Sequence, residues 1–254
     1  MLVASTFIIE CRLLTKRGAG ANYLNQLAKS ACNNMRRKVA ARDRDSGDYS
    51  FSLYGPDGGR KYLNHGERRR SLAAMATLEP SDRLFALTLA CTGTRISEVL
   101  SVVPLSFQVD ACIVAVLTLK RRSIAWREIP IPEWLMTELE THFGITEAQR
   151  DPERSRKRLW PQHRVTGWRT IKDVMMLSQI AGRAACPRGL RHSFGVSTLQ
   201  AGAPLNMVQR WLGHSRMSTT AIYTAACGPE DVSFMQLFWR ASDLDRGPDD
   251  AGGA

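Results

Sequence analysis

The chain has 254 residues, 44% of them hydrophobic, which is enough for one large domain with a real core, or for one domain plus a small appendage. Its formal net charge of +11 favours a polyanionic partner, such as nucleic acid or an anionic membrane surface. No apolar run approaches the about 20 residues of a transmembrane helix, and the six cysteines lack zinc-ligand spacing, so we expect a soluble, cytoplasmic protein without a metal.

Residues 1–61 are expected to form an N-terminal extension. Apolar residues at helical spacing between positions 23 and 39 predict one possible helix there. The run ARDRDSGDYSFSLYGPDGGR that follows is polar and rich in glycine, which indicates a linker. The folded domain is therefore expected to span residues 62–242, and the acidic, glycine-rich residues 243–254 are expected to be a disordered tail.

Helical signals open the folded domain. Asn64 and Glu67 have the spacing of a capping box for a helix through ERRRSLAAMATL. Ser81 is a candidate cap for the next helix, DRLFALTLACTG, which Gly93 ends. The run RISEVLSVV then predicts a further short helix.

The sequence period changes in the next stretch. SFQVD, CIVAVLTLK and WREIPIP are rich in valine, isoleucine and phenylalanine, and they predict three strands. Asp110-Ala111 is a credible tight connection between the first two strands, and KRRSIA is the predicted loop between the second and third. Together with the flanking helices, this predicts a fold that is mainly α with a small three-stranded antiparallel β-sheet, an α+β class.

Helical patterns return after the prolines of the third strand. EWLMTELETHFG is a predicted helix, the charged residues 147–163 suggest a surface loop, and VTGWRTIKDVMMLSQIAG predicts another helix. The expected buried stripe of that helix consists of Trp168, Ile171, Val174, Met175 and Ile180. Two helices ended by glycine, LRHSFGVSTLQAG and LNMVQRWLG, precede a last apolar helix that Pro229 opens.

The stretch from residue 186 to residue 223 concentrates the chemistry. In under forty residues it brings the arginines Arg188 and Arg191 together with two histidines and a single tyrosine, Tyr223. Cations around one phenol suit attack on an anion, because the charge must be neutralised as the phenolate adds. We therefore expect a DNA phosphate as the anion and Tyr223 as the nucleophile.

Five elements in fixed order extend this pattern. They are TGTRISEVL with Arg95, the strand-loop lysine Lys120, LRH with Arg191, LGHS with His214, and Tyr223 nine residues after that histidine. The set resembles the catalytic domain of the tyrosine recombinases, the phage integrase family, over residues 62–240. The resemblance implies a site-specific recombinase or integrase of a mobile element, acting on double-stranded DNA without a cofactor. It further implies that Tyr223 forms a 3′-phosphotyrosyl link and frees a 5′-hydroxyl.

The resemblance also implies a role for each residue. Arg95 and Arg191 clamp phosphate oxygens, His214 donates to the phosphate, and His192 takes the tyrosine proton or orients its neighbours. Lys120 is the expected general acid, although Arg122 falls near the usual position of that lysine. Backbone phosphate contacts are expected from Arg121, Arg122 and Arg216, and Lys120 itself could serve only in this way.

Two features depart from the family. Arg188 stands where the family usually has histidine, sometimes lysine; an arginine binds phosphate but cannot act as a base. Sixty residues with one predicted helix also look too few for the DNA-clamping domain that commonly precedes the catalytic domain.

Three functions therefore stay open: a recombinase, a type IB topoisomerase-like enzyme, or a remnant that binds DNA without cutting it. For a recombinase we expect a homotetramer on DNA, with contacts through the last helix, in the bacterial cytoplasm or nucleoid. An accessory recombinase or a DNA-bending protein could assist it.

Overall fold

The structure is a computed structural model that describes residues 52–118, 125–226 and 228–241. The predicted N-terminal helix, the predicted tail, and the strand-loop residues Lys120, Arg121 and Arg122 lie outside the described residues. Within the described part, helices surround a small sheet, as predicted. No helix in this part of the chain has the length and apolar character needed to cross a membrane.

The first helices follow the local signals closely. Helix α1 spans His65–Ala76, and its capping box is confirmed: Glu67 N donates to Asn64 Oδ1 and Asn64 N donates to Glu67 Oε2, both at 2.8 Å. Helix α2 spans Pro80–Thr92 and ends at Gly93, which adopts a left-handed φ of 62°. The predicted cap at Ser81 is wrong, because Pro80 already occupies the first helical turn, a position for which its fixed φ suits it. Helix α3, Ile96–Val99, follows at once.

The sheet has three antiparallel strands in the order β1-β2-β3. They are β1, Phe107–Gln108, β2, Ile113–Leu117, and β3, Trp126–Pro130. Val114 pairs with Phe107 on one side and with Ile129 on the other, and all three side chains are buried. On β3 the inward positions are 127 and 129, so an arginine, Arg127, faces the interior.

The charged segment 147–163 is more ordered than predicted. After α4, Glu133–Phe143, the chain forms α5, Ile145–Arg150, and a 3₁₀ turn, Arg154–Arg156. The prediction of a surface loop is wrong for this part of the segment. Trp160 is only 1% exposed and packs edge-on against Phe85 and Phe143. Its indole nitrogen donates to Ser81 O at 3.0 Å, so one aromatic anchor holds the charged run onto the core.

Helix α6, Arg164–Leu177, confirms most of its predicted stripe. Ile171, Val174 and Met175 are buried, and Ile180 is buried just beyond the helix end. Trp168 was predicted to be buried but is 43% exposed. The buried face runs through positions 167, 170, 171 and 174, and Trp168 lies at its edge, beneath the Lys172 ammonium at 5.9 Å.

The remaining helices carry the C-terminal half of the domain. They are α7, Pro187–Gln200, α8, Leu205–Leu212, α9, Ser218–Ala221, a 3₁₀ turn, Ile222–Ala225, and α10, Pro229–Ala241. A main hydrophobic core lies among α1, α2, α4, α6 and the sheet. A second cluster includes Phe194 of α7, Val208 and Leu212 of α8, and Tyr223; Leu53, from the segment before α1, packs into it.

Candidate active site

Arg95 is fixed by its neighbour Glu98 at the start of α3. Its backbone N–H donates to Glu98 Oε2 at 2.9 Å, and its Nη1 donates to Glu98 Oε1 at 2.8 Å. The arginine side chain keeps 29% of its surface exposed, whereas Glu98 is fully buried. The carboxylate therefore orients a guanidinium that still reaches the surface.

Glu98 is shared with a second, deeper arginine. Arg127 Nη2 donates to Glu98 Oε2 at 2.6 Å, and the Arg127 side chain is 4% exposed. Burial alone disfavours the charged carboxyl, but Arg127, the Arg95 backbone N–H and the Arg95 charge outweigh it and lower the pKa of Glu98. Glu98 is thus ionised at neutral pH, and two guanidinium groups share its single negative charge.

Arg191 is buried, and its guanidinium lies against the ends of two helices. Its Nη1 donates to Gly93 O at 2.7 Å and its Nη2 donates to Leu212 O at 2.6 Å. These carbonyls lie at the C-termini of α2 and α8, where the partial negative charge of a helix favours a cation. Among the described residues no carboxylate hydrogen-bonds to Arg191. Burial first, and then the Arg95 charge, lower its pKa from 12.5 to about 10.

The Tyr223 phenol lies in the centre of this group. Its side chain is 2% exposed, and its Oη lies 3.2 Å from His192 Nδ1. Gly195 of α7 makes room for the ring, since a Cβ there would lie 2.6 Å from Tyr223 Cζ. Burial raises the pKa of Tyr223, while the charges of Arg191 and Arg95 oppose that rise.

His214 lies nearly parallel to the same ring. The two ring planes are 17° apart with centroids 6.2 Å apart, and His214 Nδ1 lies 2.9 Å from Thr220 Oγ1. Gly213, at a left-handed φ of 68°, ends α8 and turns the chain so that His214 points inward. A left-handed position of this kind strongly favours glycine.

Both histidines are neutral at physiological pH. Burial, followed by the charges of Arg191 and other nearby cations, lowers the pKa of His192 to about 4 and that of His214 to about 3. The nearby cations lower both histidine pKa values because each positive charge disfavours protonation of its neighbours. The site therefore carries a local excess of positive charge. Such an excess favours binding of an anion.

Two other predicted contact residues lie on the surface. Arg188 and Arg216 are exposed, and the charge of Arg188 contributes to the lowered pKa of His192. Lys61 contributes in the same way, so these two cations lie near the imidazole. Across the described ranges no group of three His, Cys, Asp or Glu side chains could hold a metal ion.

A cleft of about 250 Å³ opens beside His214. It lies between the base of the β2–β3 hairpin and the end of α8. Its lining residues are Thr118, Ala125, Trp126, Arg127, Gln209, Arg210, Gly213 and His214.

The structure therefore brings together five of the predicted residues: Arg95, Arg191, His192, His214 and Tyr223. It adds Arg127, which the motifs did not reveal, and it shows that Glu98 bonds Arg95. A signal for Arg127 was present, because the alternation of β3 places this arginine on the same face as Ile129.

Comparison with known proteins agrees with this geometry. The family model described as "Phage integrase family" matches residues 61–227. The chain belongs to this family. A tyrosine recombinase XerD from Bradyrhizobium diazoefficiens is 30% identical over 175 residues, covering 62% of this chain and 54% of that protein. The chain thus spans about half the length of the curated relatives it matches.

Solved structures of family members share the fold. The catalytic domain of bacteriophage HP1 integrase superposes with a TM-score of 0.51 at 20% identity, covering 68% of this chain and 90% of that one. A XerH site-specific recombinase, in a post-cleavage complex with a palindromic difH substrate, gives 0.57 at 19% identity over 73% and 53% of the two chains. The predicted fold, mainly α with a small three-stranded sheet, is confirmed.

Proposed function

We propose that the protein is a site-specific DNA recombinase that breaks and rejoins strands through Tyr223. The observation that carries the proposal is the buried Arg191 guanidinium, which is held by two neutral carbonyls beside a buried phenol. Glu98 acts on Arg191 only through its charge, without a hydrogen bond. A buried cation that no anion contacts directly is costly, and a phosphate placed there would supply that contact. Membership in the phage integrase family and relatives named tyrosine recombinases support the same reaction.

The proposed reaction is a transesterification. Tyr223 Oη attacks the phosphorus, the bond from phosphorus to the 5′-oxygen breaks, and a 3′-phosphotyrosyl link forms. The phenol proton passes to His192 Nδ1, 3.2 Å away, on a neutral imidazole. A bound phosphate would offset the nearby positive charges that lower the pKa of this imidazole, and so make it a better acceptor. A 5′-hydroxyl from a partner strand then reverses the reaction on the new link, so no external energy source is needed.

The arginines hold the phosphate in this proposal. Arg95 and Arg191 donate to its non-bridging oxygens, where negative charge grows in the transition state. His214 Nδ1 lies 2.9 Å from Thr220 Oγ1; in this proposal the hydroxyl is the donor, so that Nε2 carries the ring hydrogen and donates to the same oxygens. Arg188 binds phosphate at the edge of the site, and an acid from residues 120–122 protonates the leaving 5′-oxygen.

Double-stranded DNA is the proposed partner, and the last helix is the proposed contact between protomers. On α10 every residue from 231 to 241 is exposed, and its exposed apolar side chains include Phe234, Leu237 and Phe238, at 72%, 61% and 52%. An apolar helix that buries little of itself in its own domain suits docking on a neighbour. A homotetramer on paired duplexes would use this contact.

Covalent trapping tests the proposal directly. Purified protein is incubated with nicked duplexes from the DNA that flanks its gene, and the products are boiled in detergent. We expect a protease-sensitive protein–DNA adduct that is absent with Tyr223→Phe, which removes one hydroxyl and should leave DNA binding nearly intact. DNA binding without an adduct would contradict the proposal and favour the remnant. Relaxation of supercoils by a monomer without a partner site would favour a topoisomerase.

A further inference from the structure

Arg127 joins three parts of the site through one side chain. Its Nη2 donates to Glu98 Oε2 at 2.6 Å, its Nη1 to Thr118 Oγ1 at 2.8 Å, and its Nε to Trp211 O at 2.8 Å. The residue as a whole is 6% exposed. It lies in the floor of the cleft beside His214 and belongs to none of the sequence motifs.

Each acceptor belongs to an element with a separate task. Glu98 holds Arg95 with its other oxygen. Thr118 directly follows β2, two residues before Lys120 in the loop that carries the proposed general acid. Trp211 lies near the end of α8, three residues before His214.

The turn that carries His214 also packs directly on the guanidinium. A Cβ at Gly213 would lie 3.1 Å from Arg127 Cζ, Nε and Nη1 alike. The backbone of this turn therefore lies close to the Arg127 guanidinium, and a side chain at position 213 would have to push it aside.

We infer that Arg127 is a positioning residue that fixes Arg95, the base of the β2–β3 hairpin and the His214 turn in one frame around the phosphate. The inference rests on the proposed function. A guanidinium is rigid and planar and directs its N–H groups at set angles, so three acceptors bound to one plane cannot move independently. An ammonium group has no such fork.

Charge sharing gives Arg127 a second effect on Arg95. Glu98 Oε2 accepts from Arg127 Nη2 and from the Arg95 backbone N–H, and the Arg95 side chain bonds to Oε1 alone. If Arg127 were lost, Oε2 could also accept from the Arg95 side chain. A two-pronged pair is the stronger arrangement, so Arg95 would be drawn towards Glu98 and away from a phosphate.

Two variants test this role without leaving Glu98 buried and unpaired. Arg127→Lys keeps the positive charge, and Thr118→Val removes a single hydroxyl from the hairpin base. Arg83→Lys is the matched control. Arg83 lies on α2, away from the site, and its Nη2 is 3.1 Å from Glu138 Oε2 on α4.

Amide hydrogen exchange of the protein without DNA provides the first readout. In Arg127→Lys we expect faster exchange in residues 113–118, 126–130 and 211–220, with α1 and α6 unchanged. Equal acceleration over the whole domain would show general destabilisation instead and would overturn the inference, as would no change in any segment.

Single-turnover cleavage of the nicked duplexes used in the trapping assay provides the second readout. Arg127→Lys should cleave about 100-fold more slowly, the effect of an approximately 1 Å misplacement, with unchanged DNA affinity. Thr118→Val should slow a normal phosphodiester more than one with a 5′-thio leaving group, which departs without an acid. Wild-type cleavage rates in Arg127→Lys would overturn the inference. If the unaltered protein forms no adduct, the proposed function fails, and hydrogen exchange still decides whether Arg127 links the three elements.

Discussion

Replacing Arg191 with methionine should separate stability from activity. The variant leaves two carbonyls, Gly93 O and Leu212 O, without a donor, at about 1–3 kcal/mol each. It also removes a buried charge. At about 1.4 kcal/mol for each pKa unit, the lowering from 12.5 to about 10 means that the folded state disfavours the charged form by about 3 kcal/mol. The two effects oppose each other, so the free energy of unfolding should change by less than about 3 kcal/mol.

Cleavage should respond very differently. Removal of a donor aimed at transition-state charge costs about 10²–10³ in rate, and Arg191→Met removes a whole guanidinium. Urea unfolding and single-turnover adduct formation measure the two effects, with Arg83→Met as the control for an arginine outside the site. Sulfate should raise the unfolding midpoint of the unaltered protein but not that of the variant.

The reasoning about Arg191 would be refuted by two results. One is a loss of more than about 4 kcal/mol of stability with cleavage retained, which would make Arg191 a structural clamp, since breaking a buried charged contact costs about 3–5 kcal/mol. The other is an equal gain from sulfate in both proteins.

Three further predictions concern acidity, backbone and the site edge. Because the folded pKa values of His192 and His214, about 4 and about 3, lie below the ordinary 6.5, the unfolded chain binds protons first. Stability is therefore highest above pH 6.5 and falls as pH drops towards 4 and then 3, by about 1.4 kcal/mol per histidine and pH unit. His214→Asn should flatten this slope in denaturant titrations at several pH values, and an unchanged slope would contradict it. Gly93→Ala, with φ at 62° and a Cβ 2.5 Å from Phe194 Cδ1, should lose at least about 1–2 kcal/mol in calorimetry; Gly66→Ala, whose nearest neighbour is 3.6 Å away, should not. Arg188→His should retain or improve adduct formation, and a complete loss would show that the arginine does something a histidine cannot.

Sequence reasoning located the charged site well because its residues lie in motifs with fixed spacing. Arg95, Arg191, His214 and Tyr223 come from segments far apart in sequence, and the structure brings them together. The capping box of α1 and the glycine ends of α2 and α8 were also predictable, because each depends on a few adjacent residues.

Tertiary contacts were harder to predict. Trp160 anchors a charged stretch to the core, because its indole is buried against Phe85 and Phe143 while the charged neighbours stay in solvent. These two contacts could not be read from the local sequence. Trp168 was predicted to be buried but is exposed, because Gly167 rather than Trp168 faces Phe85. Arg127 escaped notice because its partners lie 9, 29 and 84 residues away. The roles of Lys120, Arg121 and Arg122 stay predictions.

The bond from Arg191 to Gly93 O spans 98 residues of chain, and this separation sets the order of events during synthesis. A growing chain that has left the ribosome only as far as α2 holds half of the clamp and no nucleophile. The 130 residues from Gly93 to Tyr223 take roughly 7–26 s to add at 5–20 residues per second. During that interval the two-carbonyl clamp on Arg191 is incomplete and the proposed nucleophile has not yet been added. An unfinished molecule therefore cannot carry out the proposed cleavage, because the phenol is added after both halves of the clamp.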